Sequence, residues 1–163
     1  GVAACRRVVA FFNLFTFLEK GKPGHGLNST PLRPFSMKLN PDCVRDILLH
    51  LETELPLNGY LMGKRIAANV NPNKYSTDDI LYTLTKLKEA GLINANENNA
   101  SNKFIMVTVS SITYEGHQYL EDIRSPKAWE FAKKKAEEMG SYSLKTLGML
   151  AQQQISKMIY GEL

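Results

Sequence analysis

Apolar side chains recur at helical spacing in several stretches, separated by turn residues and short extended runs. Val44, Ile47, Leu48, Leu51 and Leu55 predict a first helix with one apolar stripe. Asn40 suits its N-cap, because an Asn side chain accepts from free helix N–H groups, and Pro41 suits its first turn. Pro56, Asn58 and Gly59 end it. The run YLMGKRIAA, Tyr60 to Ala68, fits a strand or a short helix. A second helix, Asp78 to Ala90, is capped by Ser76 or Thr77 and buries Ile80, Leu81, Leu84 and Leu87. Asp78 and Asp79 sit in its first turn, where a carboxylate favours the helix dipole.

Gly91 closes that helix, and Leu92 with Ile93 begins an extended run. ENNASN, Glu97 to Asn102, has turn composition, and FIMVTV, Phe104 to Val109, is rich in strand formers. The two runs predict a β-hairpin. Thr113 then caps a helix with Leu120 and Ile123 as its apolar contacts. In that helix Gly116 falls in the first turn, where its small size suits close packing against the strand before it. Ser125 and Pro126 open another helix, with Ala128, Trp129, Ala132, Ala136 and Met139 on its stripe and Gly140 at its end. The last helix, from about Ser143 to Ile159, presents Leu144, Leu147, Ala151, Ile155 and Met158.

The first 36 residues read differently. They hold five of the seven phenylalanines, and VVAFFNLFTFL follows an Arg pair. This resembles a secretory signal, but no small-x-small site follows, and the run is shorter than the roughly 20 residues that cross a bilayer. A Gly/Pro/Ser-rich linker leads from it to MKLNPDC. Residues 1–36 are read as an extension outside the native domain, with a membrane-surface or partner-binding arm as the alternative.

Charge sharpens the division. The net charge of +4 lies wholly before Met37, where five basic residues face one acid, leaving fifteen of each sign afterwards. A neutral remainder argues against a strong phosphate-binding field. Cys5 and Cys43 make neither a disulfide framework nor a CxxC metal spacing, which points to a reduced, cytoplasmic setting.

The stretches MKLNPDCVRDILLHLE, YSTDDILYTLTKLKEAGLIN, ITYEGHQYLEDIR and GSYSLKTLGMLAQQQISKMI together resemble the bacterial and prophage family called domain of unknown function 2513. The resemblance spans about residues 37–159. It implies a phage- or mobile-element-associated protein with a winged-helix-like core, and it carries over no catalytic residue. The expected fold is therefore α+β: a winged-helix-like domain of helices plus a β-hairpin wing over 37–124, then a C-terminal helical hairpin over 125–163.

No catalytic motif, metal-ligand set or cofactor loop is present. His117 and Glu121 share a helix face, but one imidazole and one carboxylate are too few for zinc, so they read as a surface pair. Lys133, Lys134 and Lys135 spread around their helix and read as a solvated face. The expected function is that of a non-enzymatic binding module. A DNA-binding regulator would read double-stranded DNA through Tyr82, Thr85, Lys86 and Lys88 on the second helix and Lys103 at the wing turn. The alternative is an adaptor that binds a host or phage protein. The C-terminal helices could also pair two copies into a homodimer.

Overall fold

In the computed structural model, residues 38–99 and 105–161 are described. The reading of residues 1–36 and the wing-turn residue Lys103 lie outside them. Helix α1 (Pro41–Glu54) begins where expected: the Asn40 side chain accepts from the N–H groups of Asp42 and Cys43 at 3.0 and 3.5 Å. The ambiguous stretch after it resolves into both alternatives in turn. Leu61–Met62 forms a short strand, β1, and Gly63–Asn69 forms helix α2. Helix α3 (Thr77–Glu89) starts from a reciprocal cap, in which Ser76 Oγ accepts from Asp79 N–H and the Asp79 carboxylate accepts from Ser76 N–H, each at 3.1 Å.

Strands β2 (Ile93–Asn99) and β3 (Ile105–Ile112) pair antiparallel, and β1 joins the far side of β3, giving the order β1-β3-β2. The register places Ile93 opposite Ile112 and Asn99 opposite Ile105, with a bulge between Asn94 and Ala95. Strand β2 thus runs into the stretch expected to be a turn. Composition favoured a turn, but each of Glu97, Asn98 and Asn99 has a strand partner on β3. Long-range pairing overrides local preference.

Three helices complete the described chain: α4 (Tyr114–Arg124), α5 (Pro126–Met139) and α6 (Leu144–Tyr160). Thr113, Ser125 and Ser143 cap them through their hydroxyls. The described residues therefore form an α+β fold of six helices and one three-stranded antiparallel sheet, winged-helix-like in its order α1-β1-α2-α3-β2-β3.

One apolar cluster joins these elements. Ile47, Leu48 and Leu51 of α1, Leu84 and Leu87 of α3, Val109 of β3, Ile123 of α4, Trp129 of α5 and Leu147 of α6 all belong to it. Helices α5 and α6 are thus packed into the same core as the sheet. Arg45 fixes α1 to the end of α4 by donating to the carbonyls of Ile123 and Arg124 at 2.9 and 2.7 Å. A cation there suits the negative end of the helix dipole. Arg124 reaches back to Glu52 with two hydrogen bonds at 2.8 and 2.7 Å, the forked geometry that makes such pairs directional.

Two expected stripe residues lie outside this core. Met139 is 64% exposed and Met158 is 48% exposed. Met139 ends α5, and the left-handed Gly140 that follows turns the chain away. The last residues of α6, 156–160, are all exposed, so Met158 lies where the helix has outrun its neighbours. Gly148 and Ala151 of α6 are buried within the chain, and the Tyr119 ring closes over Gly148.

Candidate functional site: the outward face of α3 and the sheet

Helix α3 packs Ile80, Leu84 and Leu87 inward, with Thr83 buried beside them. Its 3.6-residue period then places Asp78, Tyr82, Thr85, Lys86 and Glu89 on the outward side. This strip contains three of the residues expected to read DNA. The Thr85 hydroxyl donates to the Leu81 carbonyl at 3.2 Å, within its own helix. Lys86 Nζ donates to both Glu89 carboxylate oxygens, at 2.8 and 2.7 Å. It also lies 5.6 Å from the centre of the Tyr82 ring. The hydrogen bond to Glu89 is the main reason the Lys86 ammonium holds its proton more tightly than usual.

Lys88 does not share the strip. It turns toward β2, where its ammonium meets Glu97 at 3.2 Å. Both described lysines of the expected DNA-reading set are therefore held by carboxylates of the same chain. At the other end of the strip, Asp78 is exposed in the first turn and Asp79 is engaged in the cap. The helix N-terminus, the end that enters the major groove in helix-turn-helix readers, carries negative charge here.

Beside α3, the outer face of the sheet carries no charged side chain among the described residues. Asn96 lies opposite Thr108, Asn98 opposite Met106, and Met62 of β1 opposite Thr108. Asn94 donates its side-chain amide to the Ser111 hydroxyl at 2.8 Å. Met62 and Met106 are 48% and 44% exposed. Amide, hydroxyl and thioether groups thus replace the basic side chains that hold phosphate. The alternation Asn94, Asn96, Asn98 was a legible sign of this face. It was obscured because the second half of β2 reads as a turn.

The other candidates separate. His117 is exposed on α4, and Glu121, expected beside it, instead pairs with Arg124 at 2.7 Å. Lys133 pairs with Glu130 at 2.9 Å and Asp42 at 3.2 Å, whereas Lys135 pairs with Glu138 at 2.7 Å. Among the described residues there is no group of three or more potential metal ligands. No described helix is long and apolar enough to cross a membrane.

The sequence profile described as "Hypothetical protein (DUF2513)" matches residues 38–143. The chain belongs to this family. The match runs from α1 through α5, so it includes α3, the whole sheet and the outward face just described. An "Uncharacterized protein" of Haemophilus influenzae is 28% identical over 124 residues, covering 76% of this chain and 99% of that protein. No solved structure matches the chain.

Cys43 lies on α1 at the base of α3, fully buried, with the Thr83 hydroxyl 3.5 Å from its sulfur. Burial pushes its thiol up to about 11. The thiolate is the nucleophilic form, so Cys43 is expected to stay unmodified by iodoacetamide at pH 8 in the folded protein. Peptide mass spectrometry should find it alkylated only after denaturant is added.

Proposed function

We propose that the protein is a non-enzymatic binding module that meets another protein through the outward face of α3 and the adjoining sheet. The supporting observation is the internal pairing of Lys86 with Glu89 and of Lys88 with Glu97. Contact with phosphate would require breaking these pairs, and Asp78 would still face the DNA. A protein surface makes no such demand. Exposed Met62 and Met106 supply adaptable apolar contacts, and the Asn and Thr side chains supply donors and acceptors around them. Fold alone fixes neither outcome.

A DNA-binding regulator is the second reading. It is favoured by the element order, which sets a hairpin directly after α3, and by outward Tyr82 and Thr85. A photo-crosslinking amino acid at Tyr82 separates the two in cells that make the protein. Adducts with a discrete protein, missing when the crosslinker stands at exposed Lys127 instead, are the expected result. Adducts with DNA alone would overturn the protein-binding reading.

A further inference from the structure

A shallow cavity of about 180 Å³ lies between α1 and the end of α2. Asp46, Leu49 and His50 form one wall, and Asn69, Val70 and Asn71 form the other. Its polar groups are the Asp46 carboxylate, which only accepts, the His50 ring and the side-chain amides of Asn69 and Asn71. Asp46 Oδ2 accepts from Tyr75 Oη at 2.8 Å and from the Asn71 amide at 3.1 Å. Among the described residues, Asp46 Oδ1 has no hydrogen-bond donor. The Asn69 amide donates to the Arg65 carbonyl at 3.0 Å and the Asn71 amide to Asp46. Each of these side chains keeps its carbonyl oxygen as an acceptor, beside one further N–H, and His50 makes no hydrogen bond among the described residues.

The surroundings favour positive charge further. The C-terminus of α2 ends at Asn69, and a helix C-terminus carries partial negative charge. The wall is also held in place. Asn71 has φ 41°, a left-handed conformation that Asn tolerates better than most residues. Its carbonyl accepts from the N–H groups of Lys74 and Tyr75 at 2.8 and 3.1 Å. Leu49 and Val70 supply an apolar side, and the His50 ring offers a flat surface.

The geometry points to a site for a guanidinium group, seated against Asp46 Oδ1 and the Asn69 and Asn71 oxygens, with its alkyl stem on Leu49 and Val70. Several separated acceptors suit a planar fork of five N–H donors better than a single ammonium. Lys74 already shows the site's preference for cations: its ammonium is 3.6 Å from Asp46 Oδ2 and half exposed. It approaches the oxygen opposite the vacant one, so it weakens a second cation by repulsion without filling the site. The cavity is smaller than the roughly 300 Å³ at which small-molecule pockets usually begin, so it takes a side-chain head rather than a whole cofactor. The group comes either from a free guanidinium compound or from an arginine on a partner protein. This inference does not rest on the reading of α3.

The test is an NMR titration of the full chain with N-acetyl-arginine amide, its citrulline and lysine counterparts, and an arginine-containing hexapeptide. Saturable shifts of the His50 ring and the Asn69 and Asn71 side-chain amides are expected. Binding should weaken about tenfold with uncharged citrulline. Asn69→Ala should weaken binding without touching the Tyr75–Asp46 bond, and Lys74→Gln should strengthen it. A peptide that binds more tightly than the amide identifies an arginine side chain as the source, and equal affinity identifies a free compound. Equal shifts with citrulline and arginine, or no shifts at millimolar probe, would overturn the site.

Discussion

Gly116→Ala is expected to destabilise the protein by about 3 kcal/mol or more, at the upper end for an overpacked site. A Cβ added at Gly116 would collide with the Leu92 carbonyl and lie 2.7 Å from Ile112 Cγ2. The Leu92 oxygen cannot simply move aside, because it accepts from Thr113 N–H at 3.0 Å. Thr113 is held in turn, since its hydroxyl donates to the Gly91 carbonyl at 2.6 Å and accepts from Gly116 N–H at 3.0 Å. One methyl group therefore opposes the joint between α3, β3 and α4. Gly140→Ala is the control. Gly140 has φ 66° and open space around its Cβ position, so only the left-handed backbone is penalised, by about 1 kcal/mol. Chemical denaturation of the two variants should show that difference. Equal effects would mean that α4 does not approach Leu92 this closely.

Trp129→Ala is expected to cost about 3 to 5 kcal/mol. The indole is 2% exposed and its N–H donates to Asp42 Oδ1 at 2.7 Å. It thus anchors α5 to the first turn of α1. The same contact predicts a pH dependence. Burial raises the Asp42 pKa, but hydrogen bonds from Trp129 and Lys133 outweigh it and hold the carboxyl below its ordinary 3.8. A carboxyl whose folded pKa is depressed adds stability that is complete above its unfolded pKa. That stability is lost as pH falls through the folded value. Acid unfolding should therefore respond to Asp42 below about pH 4. Trp129→Phe keeps most of the ring but removes the donor, so its stability should decline less steeply over that range. Parallel acid profiles for wild type and Trp129→Phe would show that the hydrogen bond does not form in solution.

Local signals made most of the helices legible. Asn40, Ser76, Thr113, Ser125 and Ser143 cap helices because their side chains bond to the next turn, a rule that needs no tertiary information. The first-turn role of Gly116 was also visible, although its contact with Leu92 came only with the fold. The extent of β2 was not legible, because Glu97–Asn99 become strand only through β3. The α3 site was legible in part. Helical spacing put Tyr82, Thr85 and Lys86 outward, but Lys88 meets a glutamate nine residues away on a strand, and spacing along one helix cannot show that. The cavity beside Asp46 joins residues 46–50 to 69–71 across a turn, so neither segment announces it alone.

On the proposed reading, α3 presents internally neutralised lysines to a protein partner rather than free charge to DNA. The most direct test of this reading is the salt dependence of duplex DNA binding by the full chain, compared with the double variant Lys86→Ala, Lys88→Ala. Any residual affinity from the basic first segment is common to both proteins and cancels. The same affinity and the same slope of log K against log salt are expected for both proteins. A fall in that slope of about one for each lysine removed, with weaker binding at low salt, would contradict it.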